Sequence, residues 1–322
     1  MTVASIWSSW WPTSHDHTSA WKGWSHAWYE GVRKKSRDVG KPLVIFTDPD
    51  GSLLEHRAQP CRAACDALNA LADRGIPLVL CSSRTRAELE LVQQEFHLRH
   101  PFIGENGGAV YLPRGYFPSS SGPAEMSGYD IIRFAGPHEQ VVEALRRTAE
   151  TLGIEVRGFN GMSVQEVANE CGLSLADARL AQLREYGEPF LILASDPAAE
   201  SRMLNGLRRA GLRCVNRGRF HHVSSGADVR RSVRTLTNLY RQRSRDVLTI
   251  GVSAGLTDPS LLREVDIPIV VLTPEIDTAR VLRQVPTARV TNTAGSLGWA
   301  EAILSAIEPE LEVPGRRSSR RV

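Results

Sequence analysis

At 322 residues, with 42% apolar and 23% charged residues, the chain is long enough to bury a large core and to form two domains. Its net charge of +3 is small and much of the excess sits at the ends, which gives no basis for nucleic-acid binding. Five scattered cysteines (Cys61, Cys65, Cys81, Cys171, Cys214) are odd in number and exclude a complete disulfide framework, so a reducing cytoplasm is the expected setting. Cys61 and Cys65 have helical spacing and read as core thiols rather than a metal pair. No uninterrupted apolar run is long enough to span a bilayer and no basic-then-apolar leader is present, so a soluble protein without membrane attachment is expected.

Residues 1–40 carry Trp7, Trp10, Trp11, Trp21, Trp24 and Trp28, six of the seven tryptophans, with no helical or alternating period. They read as a poorly ordered extension with some docking on the body of the protein, the alternative being a module that binds a protein partner. Leu43, Val44, Ile45 and Phe46 then form an apolar run expected as a buried strand over 43–47. It leads into Thr47-Asp48-Pro49-Asp50-Gly51-Ser52-Leu53-Leu54. Two carboxylates two residues apart at a strand end, followed by a glycine and a hydroxyl, suit phosphoryl chemistry. The first can attack phosphorus, the second can handle the proton, and both can help hold a divalent cation. The same pattern also occurs in plain turns and calcium loops, so its company decides.

Downstream, the periodicity predicts a helix over 58–74, a strand over 78–82, a helix over 85–96 and a strand over 102–104. The middle of the chain, 113–223, has its own pattern: a strand at 131–134, a helix over 137–152, a strand at 190–193 and a helix over 197–210. After it come a helix over 227–242, strands over 247–252 and 268–272, and a helix over 275–284. Pro314 to Val322 reads as a solvated basic tail. Alternation of this kind predicts an α/β fold with a doubly wound, mostly parallel sheet. Asp48, Ser82 and the loop after Ile250 would emerge at the carboxyl ends of its strands. The expected division is an extension to residue 40, a core in two halves (41–112 and 224–310), an inserted α/β cap (113–223) and a tail from 311. A cap placed there would exclude water and read the substrate.

Several further stretches keep company with the aspartate pair. They are Leu80-Cys81-Ser82-Ser83-Arg84-Thr85-Arg86-Ala87-Glu88 and Gly104-Glu105-Asn106-Gly107-Gly108-Ala109. Within 113–223 they are Arg157-Gly158-Phe159, Met162-Ser163-Val164, Arg184-Glu185-Tyr186-Gly187-Glu188-Pro189-Phe190 and Gly218-Arg219-Phe220-His221-His222-Val223. The last are Leu248-Thr249-Ile250-Gly251 and Val265-Asp266-Ile267-Pro268. Together, over about residues 41–305, they resemble the haloacid-dehalogenase-like phosphatases with an inserted α/β cap, and among these the mannosyl-3-phosphoglycerate phosphatase group.

The resemblance implies Asp48 as a nucleophile that forms an aspartyl-phosphate, Asp50 as the acid and then the base, and Ser82 as a donor to the phosphoryl oxygens. It implies Arg84, with Arg86 as the alternative, as positive charge near the phosphate, and Glu105 and Asn106 as residues that face the cap and contact substrate, with a simple turn as the alternative. In the cap, Arg157, Ser163 and Arg184 would meet a glycerate carboxylate or sugar hydroxyls. Mg²⁺ would be held through Asp48, Asp50 and Asp258. Two positions depart from the family pattern: Val229 stands where it has a lysine, and Ala254 where it has the first aspartate of the metal loop. Pro49 and Ser52 replace the usual leucine and threonine. Two readings follow. One is a phosphomonoesterase acting on a small phosphorylated sugar-glycerate, with its Mg²⁺ held more weakly. The other is a catalytically impaired relative that binds a phosphosugar or a protein partner. A mutase has no specific support in the sequence.

Overall fold

The computed structural model describes residues 41–54, 61–118, 128–194, 196–254, 259–274 and 278–307. The tryptophan-rich segment, the basic tail and Asp258 lie outside the described residues. At the centre of the larger sheet runs β1 (Leu43–Thr47), flanked by β2 (Leu78–Cys81) and β10 (Leu248–Ser253), both parallel to it. Beyond β2 come β3 (Phe102–Gly104), β4 (Ala109–Pro113) and β5 (Tyr129–Arg133), and beyond β10 come β11 (Ile267–Leu272) and β12 (Arg289–Ala294). The six strands from β12 to β3 are parallel, while β4 and β5 form an antiparallel meander at one edge.

Residues of β1 alternate between two apolar layers. Ile45 packs with Leu78, Ile250 and Val252 under α1 (Arg62–Arg74) and α9 (Gly295–Ile307). Val44 and Phe46 pack with Val79, Cys81 and Ile103 under α7 (Val229–Arg243). Burial on both faces explains why this strand is a continuous apolar run rather than an alternating one. In α1, the buried Ala64, Ala67 and Leu71 form the stripe that faces the sheet, and Gly75, at φ 63°, ends the helix in the left-handed region. The next helix, α2 (Arg86–Glu95), starts in a capping box between Thr85 and Glu88. The remaining helix of this layer is α8 (Thr278–Gln284).

The chain winds outward from β1 through β2 and β3, then returns to the other side of β1 as β10. The carboxyl ends of β1 and β10 therefore form the switch point where doubly wound sheets bind ligands. Between β5 and α7 lies a second, antiparallel sheet in the order β6 (Val156–Gly158), β7 (Gly187–Ile192), β9 (Phe220–Ser224) and β8 (Arg213–Arg217). On one face α3 (His138–Leu152) and α6 (Pro197–Arg209) pack through Val141, Leu145, Met203 and Leu207 onto Phe190 and Val223. On the other, α4 (Val164–Cys171) and α5 (Leu175–Ala181) pack against Leu191 and Phe220. The two crossings between the sheets run side by side: the Gly136 N–H donates to Ser225 Oγ at 2.9 Å, and Gly226 has φ 111°.

Residues 131–133, expected in the insert, instead pair with β4 and close the edge of the larger sheet, and the Phe134 N–H still donates to the Gly108 carbonyl at 2.9 Å before the chain leaves that sheet. Period alone cannot assign a half-buried strand to one sheet or another. The cysteine expectation also fails in part, because Cys61 is half-buried at the start of α1 and Cys65 is exposed; all five thiols are free. No helix among the described residues is long and apolar enough to cross a membrane.

Candidate active site

The aspartate loop is anchored from below. Trp299, fully buried in α9, donates its indole N–H to Thr47 Oγ1 at 3.0 Å, which fixes the last residue of β1. The Asp48 N–H extends the ladder by donating to Val252 of β10 at 3.0 Å. The chain then turns back on itself: the Asp50 N–H donates to Asp48 Oδ1 at 3.3 Å, and Ser52 Oγ donates to the Asp48 carbonyl at 2.6 Å. Gly51, at φ 72°, completes the turn. Ser52, where the family pattern has threonine, thus supplies a hydroxyl that braces the turn.

Ser82, at the end of β2, donates its hydroxyl to Asp50 Oδ2 at 2.9 Å. From the same loop, Arg84 donates Nε to Asp50 Oδ1 at 2.9 Å and places Nη2 2.8 Å from the same oxygen. The charge of Asp50 holds the Arg84 guanidinium well above its ordinary pKa against the opposing effect of burial, with the Asp50 hydrogen bond and the charges of Glu88 and Asp48 adding to it. Asp48, Asp50, Ser82 and Arg84, four residues expected from the sequence, are thus brought to one strand-end crevice. Arg86 turns elsewhere and pairs with Glu185 at 2.7 Å and Glu90 at 2.9 Å.

The turn after β3 has three successive residues with positive φ: Glu105 at 48°, Asn106 at 58° and Gly107 at 84°. A Cβ on Gly107 would lie 2.5 Å from the Asp228 backbone, so this turn presses directly on the start of α7. The Glu105 carboxylate is fully buried. It accepts the N–H groups of Glu185, Tyr186 and Gly187 at 2.8, 3.0 and 2.8 Å, with Arg184 Nε 3.3 Å away. Arg184 in turn donates Nη1 to the Ser83 carbonyl at 3.0 Å and Nε to the Gly187 carbonyl at 3.1 Å. Both residues were expected to contact substrate. In the structure they form a latch that fastens the segment before β7 to the loop carrying Ser82 and Arg84.

The remaining expectations separate. Asn106 lines the cleft between the two sheets, its Nδ2 3.4 Å from His222 Nδ1. Arg157 lies beside α4, 3.6 Å from Glu166 and 3.0 Å from Glu170, and Ser163 is the N-cap of that helix in a capping box with Glu166. Both have a local structural partner that accounts for them, and neither lines the cleft. Residues missed in the sequence do line it: Arg213, His222 and Ser260. His222 lay in the quoted Phe220-His221-His222 run, whereas Arg213, one arginine among many, carried no local signal. Trp299 was hidden because tryptophan attracts notice only where it clusters.

The donor set for a divalent cation is short. Among the described residues, no group of three His, Cys, Asp or Glu side chains converges. Asp50 is already committed to Ser82 and Arg84, and Ala254, next to the end of β10, is buried and offers no ligand. Asp258 lies outside the described residues. Of the expected ligands only Asp48 and Asp50 are among the described residues, so no chemical step below is routed through a magnesium ion. Val229, in place of the family lysine, is buried in the apolar layer with Val44 and Phe46 while also lining the cleft.

Comparison with known proteins identifies the family. Residues 45–155 match the haloacid dehalogenase-like hydrolase family. The chain is 35% identical over 267 residues to the glucosyl-3-phosphoglycerate/mannosyl-3-phosphoglycerate phosphatase of Methanococcoides burtonii, covering 82% of this chain and 97% of that protein. It is 32% identical over 263 residues to the protein of the same name from Persephonella marina, covering 81% and 96%. A phosphatase of the haloalkanoate enzyme superfamily from Bacteroides thetaiotaomicron shares the fold with a TM-score of 0.58 at 18% identity, over 83% of this chain and 95% of that one. The chain belongs to the haloacid dehalogenase-like hydrolase family, as one of its phosphatases, with the smaller antiparallel sheet as its cap.

Proposed function

We propose that the protein hydrolyses the phosphomonoester of a glucosyl- or mannosyl-3-phosphoglycerate, with Asp48 as nucleophile. The single observation that carries this reading is the Asp48-Asp50-Ser82-Arg84 cluster at the switch point. The substrate class rests on the two relatives named above. Asp48 attacks phosphorus and the leaving alkoxide takes a proton from Asp50; Asp50 then takes a proton from the water that cleaves the aspartyl-phosphate. Arg84 pairs with Asp50 through both Nε and Nη2. An arriving phosphoryl group competes for that guanidinium. Arg84 turning to the phosphoryl oxygens would leave the Asp50 carboxyl to face the leaving oxygen.

The test is phosphate release from glucosyl-3-phosphoglycerate, mannosyl-3-phosphoglycerate and other phosphosugars, with Mg²⁺, Mn²⁺ or EDTA. Turnover selective for the first two is expected. Binding without release from any substrate would replace the hydrolase with a phosphosugar-binding protein, the reading that Val229 and Ala254 favour. Position 254 allows a further check. Ala254→Asp is expected to lower the Mg²⁺ concentration for half-maximal rate roughly 30–150-fold, equivalent to ~2–3 kcal/mol. An unchanged Mg²⁺ response would show that this position does not face the reacting groups.

A further inference from the structure

The cleft between the cap and the core holds a cation that the chemistry above does not use. Arg213 opens β8, the outer strand of the cap, and reaches across to the core, where its Nη1 lies 2.7 Å from Asp228 Oδ2 at the N-cap of α7. Its side chain is 56% exposed, so one carboxylate fixes the guanidinium while much of it still faces solvent at the cleft rim. Arg184, the other arginine of the cleft, is 3% exposed and spends its nitrogens on the latch. Around Arg213 the lining alternates polar groups, Asn106 and His222, with apolar Val215 and Val229. Asp48, Asp50, Ser82 and Arg84 are not part of this lining, but Asn106, which is, donates its N–H to the Ser82 carbonyl at 3.0 Å, so the cleft adjoins the loop that carries Ser82 and Arg84. Its free space is about 20 Å³, enough for one water, so a larger ligand would require the cap and core to part.

Resting on the phosphatase reading, we propose that Arg213 is a specificity-determining residue that takes the carboxylate of the substrate's glycerate portion. A planar guanidinium held on one side by Asp228 presents its remaining N–H groups in a fixed fork, which fits a carboxylate bidentately and fits a neutral hydroxymethyl group poorly. The phosphate needs no help from this cation, because Ser82 and Arg84 already stand at the aspartate pair, bonded to Asp50. Arg213 arrives with the cap, so recognition of the carboxylate and closure over the reacting groups are one event.

The experiment compares kcat and KM for glucosyl-3-phosphoglycerate and for the matching glucosylglycerol phosphate, in which a hydroxymethyl group replaces the carboxylate. Arg213→Gln is expected to lower kcat/KM for the carboxylate substrate roughly 10- to 100-fold, chiefly through KM, and to change it less than about two-fold for the glycerol analogue. Arg213→Lys, which keeps the charge but not the fork, falls between. An equal loss on both substrates, or an unchanged preference for the carboxylate, overturns the assignment. Absence of turnover on either compound by the unsubstituted chain would instead overturn the phosphatase reading on which the assignment rests.

Discussion

Asp48→Asn is expected to reduce phosphate release roughly 10³-fold or more on every substrate, with little change in folding. The amide keeps the size of the carboxylate and one oxygen that can accept the Asp50 N–H, so the turn at 48–52 has reason to persist. What is lost is the anionic oxygen proposed to attack phosphorus. Asp50→Asn is the discriminating companion. Its amide can still meet Ser82 and Arg84 in part, but it cannot deliver a proton, and losses of roughly 10²–10⁴-fold are typical of such a change. A nitrophenyl phosphate, whose leaving group departs without protonation, is expected to recover the first step in Asp50→Asn and to recover nothing in Asp48→Asn. If instead Asp48→Asn keeps more than about a tenth of the rate, Asp48 is not the nucleophile.

The sequence was most readable where one local rule decides the structure. The strand 43–47 is apolar because both faces of β1 are covered, and the paired aspartates follow at the only kind of place where a parallel sheet exposes them. Ser82 and Arg84 were legible because they follow a second such strand at once. Glu105 and Arg184 were noticed as polar residues in recurring runs, but a run does not say what faces it. Seventy-nine positions of chain separate them, and only the folded arrangement shows that each satisfies the other. Arg157 and Ser163 illustrate the same gap on a smaller scale, since a serine three residues before a glutamate is already a helix cap and needs no substrate to explain it. The strand at 131–134 was identified as a strand but given to the wrong sheet, because pairing is a property of the partner as much as of the segment.

Replacing Glu105 by alanine is expected to have the largest effect on stability. The side chain is fully buried, and its two oxygens accept three backbone N–H groups from residues 185–187 while facing Arg184 at 3.3 Å. Removing it leaves those donors without their acceptor and strands a guanidinium that is 3% exposed. Breaking a buried pair in this way costs about 3–5 kcal/mol, which for a chain of this size lowers Tm by on the order of 10 °C. Glu105→Gln keeps an acceptor oxygen but not the charge, and should fall between. Because the latch also ties the cap to the loop of Ser82 and Arg84 through the Ser83 carbonyl, the alanine variant should lose kcat even at temperatures where it stays folded. Thermal melts and phosphate release measured on the same preparations separate the two roles Glu105 can have. A latch predicts that Tm and kcat fall together. A substrate ligand, the role the sequence suggested, predicts a raised KM with Tm within about 1 °C of the unsubstituted protein.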